Sequence, residues 1–166
     1  MSAIIIRPEQ SGDEATIHAL TEAAFRDMPF SDGDEQDLID RLRADGDLSL
    51  SLVAQDVERV IGHIAFSPVS ISDGSEGWFG LGPVSVWPEL HGQGIGSSLI
   101  RQGIANLSAA GARGIVLLGS PEYYGRFGFE QDPLLAYPGP PPEYFQRLVL
   151  NGPPPAGVVT YAPAFG

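Results

Sequence analysis

The sequence predicts a single-domain α/β (α+β) fold built around a mixed sheet. Segments suited to strands take turns with longer segments that carry apolar residues at helical spacing, which is the alternation an α/β layer needs. The chain has 166 residues, enough for one domain with a proper core, and its 43% apolar fraction favours folding over disorder. No internal repeat is visible, so we expect one domain over residues 1–166.

The amino-terminal part is expected to form one strand and two helices. Residues 3–7 suit a strand, and a helix runs from residues 11–14 to about Arg26 with an apolar face. The acidic residues at 32–37 suit the start of a second helix, because negative charge stabilises a helix N-terminus, and Gly46 ends it.

The middle of the chain alternates as strands do. Residues 49–55 and 60–70 flank a short polar turn and predict a hairpin. A fourth strand is predicted at 78–87, where Gly80 and Gly82 favour a bulge or a close backbone approach.

The carboxy-terminal part begins with a buried strand at 114–120 and a short helix that Gly128 closes. Two later segments, 144–150 and 157–163, alternate as strands and are expected to pair antiparallel and complete the mixed sheet. The proline-rich stretches beside them are expected to be stiff loops rather than linkers.

Residues 84–100 are the most informative stretch, because they run from a strand through a glycine-rich turn into a helix. Glycines at 92, 94 and 96 allow positive φ and a close approach of the backbone to a ligand. Unpaired amides and the helix dipole then favour an anion at this place. The pattern indicates a pyrophosphate cradle, with a turn that binds nothing as the alternative.

Two other nucleotide-binding patterns do not fit. The glycine order is Gly-x-Gly-x-Gly rather than Gly-x-Gly-x-x-Gly, and Val116 rather than an acid lies 20 residues beyond Gly96. A Gly-Lys-Ser or Gly-Lys-Thr sequence is absent from the chain.

The segment from His91 to Gly96 instead resembles the acyl-coenzyme A loop of the GNAT superfamily of N-acetyltransferases, usually Arg/Gln-x-x-Gly-x-Gly/Ala. His91 departs from that pattern and is alternatively a polar surface residue of the turn. In the family, backbone amides hold the pyrophosphate of acetyl-CoA. The resemblance therefore implies a set of residues that bind this cosubstrate: Val84, Ser85, Val86, His91, Gly92, Gln93, Gly94, Ile95, Gly96 and Ser97.

A second motif strengthens the resemblance, since family members carry a tyrosine four residues before a Gly-Phe pair. Here that tyrosine is Tyr124, before Gly128 and Phe129. The whole pattern is similar to the YhbS-like branch of predicted N-acetyltransferases. It implies a mixed, mostly antiparallel sheet of about seven strands with helices on both faces. Tyr123 is expected to point elsewhere and to be structural.

The resemblance implies direct attack of an acceptor amine on the acetyl thioester. Tyr124 is the expected acid for the thiolate, with pocket packing as its alternative role, and amides near residues 84–86 are the expected oxyanion donors. The base is not identified: Glu35, His63, Asp73 and Glu76 are candidates, as is a water relay, although His63 fits a packed strand residue better.

The acceptor site commonly lies at the junction of the first two helices in this family. Phe30 and Glu35 are therefore candidate substrate contacts, although a helix start that complements its dipole explains the acids equally well. The acceptor itself stays open.

The charge and composition of the chain limit the classes of partner and cofactor that we expect it to bind. A net charge of −12 with only 9 basic residues excludes a nucleic-acid binder, and Arg101, Arg113 and Arg126 are candidate cations for coenzyme A. The same charge favours a cationic acceptor or simply keeps the protein in solution. Without cysteine there is no thiolate metal site and no catalytic thiol, and we expect no metal. The sequence has no membrane-spanning run and no signal peptide, so we expect a cytoplasmic protein. We expect it to be a monomer or a homodimer.

Two alternatives to an acetyltransferase remain. A non-catalytic acyl-CoA sensor or regulatory domain would keep the cradle without a base, which the absence of a carboxylate from residues 78–86 permits. An interaction module would use the glycine loop only as structure.

Overall fold

A computed structural model describes residues 4–29 and 31–166 and shows, over these residues, one eight-stranded sheet with helices on both faces. The strands are β1 (Ile4–Pro8), β2 (Leu50–Asp56), β3 (Arg59–Ile71), β4 (Trp78–Val86), β5 (Gly114–Leu118), β6 (Leu135–Ala136), β7 (Phe145–Val149) and β8 (Gly157–Tyr161). The helices are α1 (Glu14–Phe25), α2 (Glu35–Asp45), α3 (Ile95–Ala109) and the single turn α4 (Pro121–Tyr124). Short 3₁₀ turns lie at Pro88–Leu90, Gly125–Phe127, Pro142–Tyr144 and Pro163–Phe165.

The sheet is mixed and mostly antiparallel, as predicted. Its main path runs β1-β2-β3-β4-β5-β7, and within it only the β4–β5 pair is parallel. Strand β8 pairs antiparallel with the end of β3, and β6 pairs parallel with β8. The eighth strand, beyond the expected seven, is the two-residue β6.

The partners of the last two long strands differ from the most direct interpretation of the sequence. Both pair antiparallel, but β7 pairs with β5 and β8 with β3, and not with each other. An alternating pattern shows that one face of a strand is buried, and it does not name the neighbouring strand. The proline-rich stretch between Val149 and Gly157 carries the chain from β7, beside β5, to β8, beside the end of β3.

The sheet divides the hydrophobic core into two layers, one between each face and the helices that pack on it. On one face, Leu99 and Ile100 of α3 pack against Ile64 and Phe66. On the other face, α1 and α2 bury apolar side chains against Val53 of β2. Successive strand residues point to opposite faces, so β2 contributes to both layers.

The helix boundaries have local causes. Gly46 ends α2 with φ +77° and donates its amide toward the last carbonyls of the helix, as predicted. Helix α1 begins at Glu14, three residues later than the earliest predicted start, because Gly12 has φ +102° and Asp13 is engaged by Arg7 at 2.8 Å. No helix among the described residues is long and apolar enough to cross a membrane.

The feature that creates the site is the separation of β4 from β5. The two strands pair at only three positions, from Trp78↔Gly114 to Gly80↔Val116. Just beyond, the register between β3 and β4 shifts, and the extra β4 residues include Gly82, which has φ +126°. The predicted bulge is therefore present, and within residues 4–29 and 31–166 no strand pairs with the second half of β4 on the side of β5.

Candidate functional site

Two cavities open beside the unpaired half of β4. The first, which we call the loop cavity, has a volume of about 460 Å³. Its described lining comprises Val84, Val86, Leu90, His91, Gly92, Gly94, Ile95, Gly96, Ser97, Tyr123 and Arg126. It thus contains both the end of β4 and the glycine turn that leads into α3.

The turn exposes backbone to the loop cavity for reasons set by its glycines. Gly92 and Gly94 both have φ +81°, a left-handed conformation that costs other residues energy. Gly94 is also the N-cap of the 15-residue helix α3. The first amides of a helix have no partner within it, so the start of α3 offers donors and a positive dipole end to an anion.

Strand β4 adds two more backbone donors, the amides of Val84 and Val86, and their direction follows from the hydrogen bond of a neighbouring residue. The Trp87 amide donates to the Ile61 carbonyl of β3 at 3.2 Å. Because backbone groups alternate in direction along an antiparallel strand, the amides of Val84 and Val86 face the gap on the side of β5, whereas the amide of Ser85 faces β3.

The structure brings together eight of the ten residues predicted to bind the cosubstrate. Ser85 is not among them, because it is only 2% exposed on the opposite face of the sheet. Gln93 lines a smaller neighbouring hollow beside Ile4 and Ile6 instead. His91 lines the loop cavity, and its Nε2 lies 2.9 Å from the Val86 carbonyl oxygen, so that nitrogen carries the proton and donates.

Tyr123 corrects one expectation. It points away from Tyr124, as predicted, but into the loop cavity, where its hydroxyl lies 3.1 Å from Ser97 Oγ. Arg126 lies 4.6 Å from the centroid of the Tyr123 ring and donates to the Tyr123 carbonyl at 2.9 Å. Helix α4 therefore supplies the loop cavity with the Tyr123 hydroxyl, and the 3₁₀ turn that follows it supplies the Arg126 guanidinium.

The other two candidate cations lie elsewhere. Arg101 stacks on the Phe127 ring at 4.8 Å and does not line the described part of the loop cavity. Arg113 packs beside Gly77 and Gly152 at the opposite end of β5. Arg126 is thus the described cation that lines this cavity.

The second cavity, which we call the aromatic cavity, has a volume of about 420 Å³. Its described lining comprises Phe25, Met28, Glu35, Leu38, Leu81, Gly82, Pro83, Val84, Leu118, Tyr124, Tyr137, Tyr161 and Phe165. Val84 lines both cavities, so they meet at this residue.

Tyr124 lies in the wall of the aromatic cavity, in a tightly packed setting. Its ring makes edge contacts with Tyr123 and Phe129, at centroid distances of 5.0 and 6.1 Å. Burial raises the pKa of Tyr124 to about 12, and the neighbouring Tyr123 contributes in the same direction. The hydroxyl is therefore a proton donor throughout the neutral range.

Glu35 is the carboxylate that the structure places in the aromatic cavity. Its Oε1 accepts a hydrogen bond from Ser31 Oγ at 2.6 Å. The other predicted substrate contact, Phe30, lies outside the described residues. Asp73 and Glu76 are exposed and line neither cavity, and Asp73 instead accepts the amides of Ser75 and Ala156.

His63 is a packed strand residue. It is fully buried, and its Nε2 lies 2.8 Å from Ser51 Oγ, which itself donates to Glu9 at 2.7 Å. Since the Ser51 hydroxyl has one proton, His63 Nε2 is the protonated nitrogen of a neutral ring. Burial lowers the pKa of His63 to about 4 although nearby Glu9 opposes the shift.

One surface group has the composition of a weak metal site. Ligand atoms of His18, Asp37 and Asp40 lie within 4.8 Å of one another on α1 and α2, with both acids exposed. His18 Nδ1 and Asp40 already pair at 2.8 Å, and none of the three lines either cavity over the described residues.

Comparison with known proteins agrees with this geometry. Residues 5–131 match the model of the Acetyltransferase (GNAT) domain family. The N-acetyltransferase YhbS of Escherichia coli strain K12 is 41% identical over 128 residues, which are 76% of this chain and 74% of that protein.

Two solved structures match nearly the whole chain. A GNAT family acetyltransferase from Brucella melitensis, crystallised with acetyl-CoA, is 48% identical with a TM-score of 0.88, over 99% of both chains. The crystal structure of YhbS from Escherichia coli in complex with CoA is 35% identical with a TM-score of 0.88, over 99% of this chain and 93% of that one.

Proposed function

Because this chain belongs to the GNAT acetyltransferase family, we propose that it transfers the acetyl group of acetyl-CoA to a primary amine. The observation that carries the proposal is the junction of two cavities at Val84, one lined by free backbone amides and the other mostly apolar with Tyr124 in its wall. A cosubstrate in the first and an acceptor in the second would meet at the unpaired half of β4.

The loop cavity fits the chemistry of acetyl-CoA. Amides of the segment from Gly92 to Ser97 suit a pyrophosphate, which needs several donors and little side-chain bulk. Arg126 adds a positive charge to a chain whose net charge of −12 would otherwise repel this anion. The complexes of two relatives with acetyl-CoA and CoA support the same assignment.

The proposed reaction is a direct acyl transfer. The neutral amine nitrogen attacks the thioester carbonyl carbon, its new C–N bond forms, and the C–S bond breaks. The nitrogen loses one proton and the coenzyme A sulfur gains one, so that an amide and free CoA result. In this proposal the gap-facing amides of Val84 and Val86 stabilise the oxyanion, and Tyr124 donates a proton to the departing sulfur.

Deprotonation of the amine is assigned to Glu35 or to water. Strand β4 carries no carboxylate, and Glu35 is the ionisable acid in the described wall of the aromatic cavity. We do not assign the base to His63, because its protonated nitrogen is engaged by Ser51 and its low pKa makes it a poor proton acceptor.

A second candidate function is an acyl-CoA sensor that binds without transfer. The observation that favours it is the same lack of a carboxylate on β4. Calorimetry with acetyl-CoA tests the cradle, and an amine screen that measures CoA release separates transfer from sensing. Binding with no turnover on any amine would favour the sensor, and no binding would contradict both functions.

The chain simplifies that screen. All nine of its basic residues are arginine, so it has no lysine amine of its own. Any acetyl-lysine signal therefore comes from an added acceptor.

A further inference from the structure

We propose that the acceptor is an arylalkyl monoamine without a carboxylate, held with its aryl group in the aromatic cavity and its ammonium at Glu35. This inference rests on the proposed function and deepens it by naming the substrate class.

The wall of the aromatic cavity is built from rings that hold one another in place. Tyr161 packs against Tyr137 and Phe165, with centroid distances of 5.0 Å to each. On its other side Tyr161 lies against Gly80, where an added Cβ would come within 2.9 Å of the ring. A preformed wall of this kind suits a rigid aromatic group, because neither partner loses much conformational freedom on binding.

The cavity also accounts for exposed apolar residues that the rest of the fold does not need. Met28, Leu118 and Phe165 are 42%, 41% and 37% exposed, and all three line it. Large apolar side chains that converge on one concavity mark a site that awaits an apolar ligand.

The charge of the wall selects among amines. Glu35 is the ionisable carboxylate of the described lining, and that lining contains no Arg, Lys or His. An amino acid would bring a carboxylate that finds no cation there, and burying an unpaired charge is costly. A diamine would bury a second ammonium against apolar rings with no second acid. One positive charge and one apolar body fit what the cavity offers.

Family membership alone does not account for this wall. Tyr137, Tyr161 and Phe165 lie beyond residues 5–131, the part of the chain that matches the family's domain model. Three of the five rings in the described lining of the aromatic cavity therefore come from the part of the chain outside that match, and the other two, Phe25 and Tyr124, lie within it.

The test compares amines that differ by one feature. With acetyl-CoA present, we expect kcat/KM for 2-phenylethylamine to exceed that for L-phenylalanine, its carboxylated counterpart, by about 100-fold or more. It should exceed that for 1,4-diaminobutane by at least about tenfold. A peptide with a free N-terminus or lysine should be a poorer acceptor than 2-phenylethylamine.

Paired variants locate the selection. Glu35→Gln should raise KM for 2-phenylethylamine about tenfold or more, whereas Asp34→Asn, which removes a neighbouring charge outside the cavity, should not. Leu118→Ala should weaken the binding of 2-phenylethylamine. Leu134→Ala, which changes an exposed leucine outside the cavity, should not.

Calorimetry of the CoA-loaded protein with 2-phenylethylamine distinguishes failure of the inference from failure of the proposed function. Binding that depends on Glu35, without transfer to any amine, would support the ligand class and contradict the transfer. Equal or better transfer to the diamine, phenylalanine or the peptide would overturn the class and leave the transfer intact. Neither binding nor transfer would overturn both.

Discussion

At the scale of a single residue, the position and burial of the Tyr124 ring depend on the residues next to it. Its ring lies against Gly119 so closely that an added Cβ there would be 2.5 Å from a ring carbon. The glycine at the end of β5 therefore makes room for the tyrosine, and the rings of Tyr123 and Phe129 hold it from other sides. The resulting burial accounts for the raised pKa of Tyr124.

Tyr124→Phe removes the proposed donor and keeps the ring. We expect kcat to fall by about 10²–10⁴-fold with little change in acetyl-CoA affinity. Because the pKa of Tyr124 is raised to about 12, the parent enzyme keeps this proton through pH 10 and loses no rate there through Tyr124. Rate profiles against pH for parent and variant check both points, and unchanged kcat would remove Tyr124 from the mechanism.

His63 makes stability depend on pH. Its folded-state pKa of about 4 lies below the ordinary value of 6.5, so the unfolded chain gains a proton first as pH falls. Stability is therefore complete above about pH 6.5 and decreases toward pH 4, by about 3 kcal/mol in the free energy of unfolding. Urea unfolding at pH values across this window measures the loss. His63→Gln should flatten it, and parallel curves for parent and variant would contradict the assignment.

The positions of residues were predictable where a motif determines the backbone conformation, and less so where they depend on a neighbouring residue. The glycine pattern placed Gly92, Gly94 and Gly96 at one cavity. Tyr123 was expected to be structural, but residues adjacent in a helix point about 100° apart, so it reaches the loop cavity while Tyr124 reaches the aromatic one. Ser85 lies on the buried face of the sheet because successive residues of a strand point to opposite faces.

At the scale of an element, Gly94 and Gly96 at the start of α3 differ in what an added side chain would change. Gly94 has positive φ, so a side chain there would strain the fold itself. Gly96 lies inside the helix, and an added Cβ would sit in the loop cavity, 3.9 Å from the Tyr123 hydroxyl. Gly96 is thus the position at which binding can be changed without cost to the helix.

Gly96→Ala should raise or preserve the melting temperature, because alanine favours a helix by up to about 1 kcal/mol over glycine. The same change should weaken acetyl-CoA binding by about tenfold, since the methyl group occupies space beside the donors. Thermal melts and calorimetry measure the two effects. Ser108→Ala, in the last turn of α3, serves as the control, and unchanged affinity in Gly96→Ala would refute the proposed cradle.

Most elements could be predicted because their signals are local, but the strands with which β7 and β8 pair could not. Gly46 ends α2 and the alternation of β2 and β3 forms a hairpin, as their sequences indicate. The partners of β7 and β8 are strands distant in the sequence, β5 and β3, so the choice depends on the packing of the whole sheet.

At the scale of the molecule, we expect the net charge of −12 to attract a cationic acceptor before it binds. We expect the second-order rate constant for a cationic amine to fall as salt rises, because ions screen such attraction beyond about 8–10 Å. Glu35→Gln should reduce that dependence. A salt series at fixed pH measures it, and a rate constant indifferent to salt would mean that the charge has no part in capturing the acceptor.

The meeting of the two cavities at Val84 also governs the order of events in a catalytic cycle. Since the two cavities are distinct and share only Val84 among their described linings, we expect a donor and an acceptor to be bound together, with no acetylated enzyme needed to carry the group between them. Initial velocities should then give intersecting rather than parallel double-reciprocal lines. Free CoA should compete with acetyl-CoA but not with the amine. The ratio of acetyl-CoA to free CoA in the cell would then control the rate of the reaction, whichever amine is the acceptor.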